Sequence, residues 1–148
     1  MGLDMYLTKK VYVGANYKHN KITGSIDLQT DGKPIPVNLN AVVYIEEIAG
    51  CWRKANAIHR WFVENVQNGE DNCKKYYVSE EDMENLLKSV NAVLKDHSLA
   101  PVLLPTASGF FFGKTDYDEY YFQDLEETQK ILTQALSQDG EYYYRSSW

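Results

Sequence analysis

The chain has 148 residues, a formal net charge of −6 at neutral pH and an isoelectric point near 5.0. Hydrophobic residues make up 44% and charged residues 24%, the balance of a globular chain long enough to build a core without metal or disulfide staples. These figures exclude a disordered chain. The scattered basic residues, with arginine only at Arg53, Arg60 and Arg145, exclude the clustered cationic surface that duplex nucleic acid requires.

No apolar run approaches the roughly 20 residues that cross a bilayer, so no membrane partner is expected. The opening Met-Gly-Leu-Asp-Met-Tyr has no basic segment followed by an apolar one, so a cytoplasmic location is expected. Cys51 and Cys73 are then expected to be free thiols. The unusual residue is tyrosine, which occurs 12 times. Tyr117, Tyr120, Tyr121, Tyr142, Tyr143 and Tyr144 crowd the second half, and their rigid rings with hydrogen-bonding tips suit both cores and interfaces.

In chain order, Leu3, Met5, Leu7, Val11 and Val13 alternate as a half-buried strand does. Residues 14–21 read as a polar loop. Ile22, Ile26 and Leu28, then the turn pair Asp31-Gly32, then Ile35, Val37 and Leu39, predict a hairpin. Pro34 and Pro36 mark its second arm as an edge. Residues 42–48 predict a further strand. From Cys51 to Gln67 the period changes to that of a helix, with Trp52, Ala55, Phe62, Val63 and Val66 on one stripe and Asn68-Gly69 as its stop. Tyr76 to Val78 reads as a short strand. Ser79, with Asp82 three residues later, caps a helix that carries Met83, Leu86, Leu87, Val90, Val93 and Leu94 inward and ends near residues 96–98. Residues 101–115 are apolar but irregular and predict a strand-like segment and a loop, with Phe110 to Phe112 in the core. A last helix from about Asp118 turns Tyr121, Leu125, Ile131, Leu132 and Leu136 inward. After the Asp139-Gly140 turn, Tyr142 to Tyr144 form a terminal strand. The fold class is therefore α+β, a single domain over residues 1–148 with an antiparallel or mixed sheet and about three helices.

Three segments invite a chemical reading. Residues 108–115 end like a phosphate-binding loop, Gly113-Lys114-Thr115, but Ser108 stands where the motif needs glycine, and helix signals start later. Three consecutive phenylalanines also cannot wrap N–H groups around phosphate. In the helix assigned to residues 51–67, Asn56 and His59 fall on the apolar stripe. They form either a buried hydrogen-bonded network or the lining of a pocket. Arg53 and Arg60, seven apart, would share another face and could hold an anion. In residues 115–121 the acidic residues fit a helix start capped by Thr115 or Asp116, and the segment lacks the glycine and terminal glutamate of a calcium loop. His19, His59 and His97 are isolated, so no zinc motif exists, and no Gly-x-Ser-x-Gly elbow occurs. Neither a metal nor a cofactor is expected.

These segments also carry a resemblance. Met1 to Leu7, Trp52 to His59, Leu104-Pro105-Thr106, Gly109 to Gly113, Thr115 to Tyr121 and Tyr144 to Trp148 together resemble a family of small, largely uncharacterised proteins of bacteriophages and prophages. Residues 16–40 are more particular to this chain. Members are sometimes labelled phosphoglycerate kinase, a label that 148 residues without a complete phosphate loop do not support. The resemblance implies a phage accessory binding protein in the host cytoplasm. It would antagonise a host defence factor by binding that protein or by sequestering its nucleotide-like signal. Trp52, Arg53, Asn56, His59, Tyr117 and Tyr121 are the candidate ligand-binding residues, with rings to stack a base and cations for phosphate. The alternatives are a small enzyme using His59 and Asp116 as acid–base groups, and a homo-oligomer joined through exposed tyrosines.

Overall fold

Alternation in the sequence is realised first in strand β1 (Asp4–Tyr12), where Met5 and Leu7 are buried and their neighbours only partly so. The computed structural model of the protein describes residues 2–14 and 17–148. Residues 1, 15 and 16, which fall in the opening segment and in the expected polar loop, lie outside the described residues. The remaining elements are β2 (Leu28–Thr30), β3 (Lys33–Ile35), β4 (Tyr44–Arg53), α1 (Asn56–Asn65), β5 (Tyr76–Val78), α2 (Glu80–Lys95), α3 (Ala100–Leu103), α4 (Glu119–Leu136) and β6 (Glu141–Ser147).

The main sheet has the order β4-β1-β6-β5 and is antiparallel throughout, so the α+β class holds. Its inner face carries Met5 and Leu7, with Trp52 opposite Met5 and Tyr144 opposite Leu7. Helix α1 covers this face, with the Phe62 ring stacked on Tyr144 at 3.9 Å. Helix α4 crosses β4 so closely that a Cβ on Gly50 would lie 2.5 Å from Ile131, which is why glycine stands there. Helix α2 lies against α4 and adds Met83, Leu86, Val90 and Val93 to the same core. The outer face is open to solvent, with Tyr77 59% and Ile48 63% exposed.

The predicted hairpin exists but is shorter than expected. Asp31 and Gly32 turn it at positive φ, yet only Leu28–Thr30 pairs with Lys33–Ile35, as a separate two-stranded sheet. Its residues are all exposed, because nothing packs on either face.

Two boundaries differ from the sequence reading. The stretch from Cys51 is not helical at its start: Cys51, Trp52 and Arg53 pair with Tyr6, Met5 and Asp4, and the ladder continues where a helix was expected. A turn through Lys54, at φ 63°, separates the strand from α1. Residues 101–115 contain no strand. They form the single-turn helix α3 and a long loop, in which Phe110 is 80% exposed and Phe111 adopts φ 71°. Only Phe112 of the three phenylalanines is buried, and Phe110 and Phe111 are exposed at the turn.

Candidate functional site

Sequence placed Asn56 on the apolar side, and the structure explains how it is tolerated there. Asn56 opens α1 and is buried, and its amide nitrogen donates to the carbonyls of Phe112 (3.1 Å) and Lys114 (2.8 Å). Its side-chain oxygen accepts from the Ala107 N–H at 3.0 Å. One amide therefore holds both limbs of the 104–118 loop against the helix start. The Leu3 backbone adds a second tie, accepting from Lys54 N–H at 2.8 Å and donating to the Phe111 carbonyl at 3.3 Å.

The clamped loop walls a cavity of about 310 Å³ between the β4–α1 turn and the first turns of α4. On the turn side lie Arg53 and Lys54, joined by Lys114 from the loop. Gly113, beside Lys114, has φ 87°, and a Cβ there would sit 3.2 Å from Lys54 Cβ, so glycine keeps the two lysine segments close. Residues 55–58, the start of α1, complete the lining on this side. Ala55 gives α1 no side-chain cap, and the Asn56 N–H donates instead to the Lys54 carbonyl at 2.8 Å.

On the α4 side lie Tyr120, Tyr121, Asp118 and Asp124, with Asp116 at the approach. Asp118 caps α4 by accepting from the Tyr121 N–H at 3.2 Å. Tyr121 is buried and donates its hydroxyl to the Leu104 carbonyl at 2.8 Å, and burial pushes that phenol well up from its ordinary value. Asp124 is held at about 6, first by burial and then by the nearby Asp118 carboxylate. Its backbone carbonyl accepts from Thr128 Oγ1 at 2.6 Å, and Thr128 in turn accepts from Trp52 Nε1 at 2.9 Å. Trp52 thus fixes the acidic wall from behind.

The cavity brings together Arg53, Asn56 and Tyr121 of the six residues singled out in the sequence. Trp52 is a core residue. Tyr117 packs edge-on against Tyr121 at 5.0 Å and accepts from the Thr106 N–H at 3.4 Å, which places it behind the wall. His59 is elsewhere and 1% exposed. Its Nε2 lies 3.0 Å from Asp71 and its Nδ1 lies 2.7 Å from the Tyr144 hydroxyl. A carboxylate can only accept, so Nε2 carries hydrogen and donates to Asp71. Asp71 also accepts from Trp148 Nε1 at 3.1 Å. His59 and Asp116 therefore do not meet. Arg53 and Arg60 do not share a helix face either: Arg53 ends β4, and Arg60 pairs with Glu64 at 2.7 Å.

Sequence reasoning missed Lys54, Lys114, Tyr120, Asp118 and Asp124 as lining residues. The acids were read as helix-start charges, which Asp118 also is. The available signal was that Tyr121 and Asp124, three apart, share a face of α4. Among the described residues no group of three or more metal-ligating side chains gathers as an ion site, and no helix is long and apolar enough to cross a membrane. Cys51 and Cys73 are exposed and free. Comparisons with protein-family models, with curated proteins and with solved structures find no match to this chain.

Proposed function

We propose that the protein is a non-enzymatic binding protein that captures a small, nucleotide-like anion in the cavity between the β4–α1 turn and α4. One observation carries this reading. The uncapped start of a ten-residue helix opens into a cavity of about 310 Å³ beside Arg53, Lys54 and Lys114. The helix dipole and the nearby cations both favour negative charge at the same place. The volume lies at the lower end of the range for small-molecule sites. Tyr120, 71% exposed at the rim, offers a ring for a base. The resemblance to phage proteins supports the biological direction, in which a captured host signal disarms a defence factor. The partner would then be that signal, met in the host cytoplasm.

Mass spectrometry of small molecules released from the purified protein, with thermal melts in added nucleotides, tests this. A nucleotide at a hundredfold excess over its Kd would add about 2.7 kcal/mol of stability. The double variant Arg53→Ala, Lys114→Ala should lose that gain while keeping its unliganded melting temperature. If nothing is released and no nucleotide moves the melt, the reading fails.

One observation favours a second reading, homo-oligomer formation. The open outer face of the sheet holds Tyr6, Tyr77, Tyr143 and Ile48, with Lys75 over Tyr143 and Arg145 over Tyr6. Sedimentation velocity over a wide concentration range decides it, and a monomer throughout removes it.

A further inference from the structure

The two walls of the cavity carry opposite charge and do not touch. Arg53, Lys54 and Lys114 stand on one side, and Asp118 and Asp124 stand on α4 opposite, with Asp116 at the approach. Among the described residues none of these cations comes within ion-pair distance of any of these carboxylates, and Arg53 reaches only Asp4, at 3.7 Å. Opposite charges on flexible side chains close such gaps unless the backbone holds them apart. Here it does. Lys114 is placed by Asn56, Asp118 is committed to its cap, and α4 is pinned through Thr128 and Trp52.

Asp124 is the informative residue. It is half-buried and faces the cavity, and among the described residues its carboxyl receives no hydrogen bond from protein. Burial raises its pKa, so its ionised form is under-solvated where it stands. A carboxyl in that condition gains more from an incoming donor than one in water does. An anion alone would satisfy the basic wall and leave this acceptor unmet, and would be repelled by it.

We infer that the ligand has two unlike ends, an anionic group for the Arg53–Lys114 wall and a hydrogen-bond-donating amino group for Asp124. This rests on the anion-site reading above and narrows it. Within the nucleotides it selects bases that carry an exocyclic amine over bases with a carbonyl or only hydrogen at the same place. An amine offers N–H to the carboxylate, whereas a carbonyl offers only a lone pair to another lone pair. The α4 wall thus sets specificity, and the β4–α1 wall sets affinity for the anion.

The test uses the unmodified protein and pairs of nucleoside monophosphates that differ chiefly at the amine: guanosine against inosine, adenosine against inosine, and cytidine against uridine. Calorimetric titration should show, for at least one pair, the amino form binding about tenfold tighter or more, the scale of one good directional contact. Asp124→Asn should shrink that preference to about twofold or less while retaining affinity for the partner that lacks the amine. Equal binding within all three pairs overturns this inference and leaves the anion site standing. A preference that Asp124→Asn leaves intact also overturns the assignment to Asp124. No binding by any of the nucleotides overturns both.

Discussion

At the scale of single residues, Asn56 and Asp124 do opposite things for the fold. Asn56 uses both donors and one acceptor lone pair of its side chain on the 107–114 loop. Asn56→Ala would leave Phe112 and Lys114 carbonyls and the Ala107 N–H without partners. Urea unfolding should show a loss of about 2–3 kcal/mol, because buried groups without partners cost more than the net worth of their bonds. A loss below about 0.5 kcal/mol would mean that the loop is held by other contacts. Asp124 instead weakens the fold when ionised. Its neighbours are Asp118 and Tyr121 on α4, Asp116 and Lys114 on the loop, and Arg53 and Lys54 on the turn. With the carboxyl at about 6 when folded against 3.8 as the ordinary value, the folded chain holds the proton more tightly than the unfolded one. Its contribution is therefore neutral below about pH 4, turns unfavourable as the pH rises to about 6, and is constant above that. Melts of Asp124→Asn should match the parent at pH 4 and exceed it at pH 7.5. An offset independent of pH would contradict the assignment.

At the scale of elements, the best test is the start of α2. Ser79 Oγ accepts from the Asp82 N–H at 3.1 Å, and the Asp82 carboxylate accepts from the Ser79 N–H at 3.0 Å, a reciprocal capping box. Ser79→Ala should cost about 1 kcal/mol in urea unfolding, and Ser79→Asn should cost much less. This helix was legible because cap, first-turn acids and apolar stripe agree along one continuous stretch. The boundary at 51–56 was not. Trp52 and Ala55 satisfy a helical stripe and also the inward side of a strand end. The choice between them is made by Asp4–Tyr6, some 47 residues away in sequence, which pair with Cys51–Arg53. Local periodicity has no access to that competition. The same reason hid half of the site. Lys114 lines the cavity only because Asn56 holds its carbonyl, and Asp118 and Asp124 look like any helix-start acids until α1 is placed opposite them. His59 was read correctly as out of place among apolar neighbours, but Asp71 and Tyr144 answer its polarity, not a ligand.

At the scale of the whole molecule, the sheet depends on its final strand. β6 lies between β1 and β5 and pairs with both, and it supplies Tyr142 and Tyr144 to the core. A chain ending at Asp139 would leave β5 without any partner and strip Phe62 and His59 of the ring they contact. It should show no cooperative thermal transition by circular dichroism. A sharp transition would mean that β1, β4 and the helices form a sufficient core by themselves. The placement of β6 also has a consequence for how the protein is made. At roughly 5–20 residues per second, a ribosome needs on the order of ten seconds to travel from β1 to β6. Once β4 has been made, β1 can pair on that side only until β6 follows, and its other edge is an open template for neighbouring nascent chains. Slower initiation or a lower growth temperature should therefore raise the folded yield more than any single stabilising substitution, because the hazard lies in the order of synthesis and not in the finished fold.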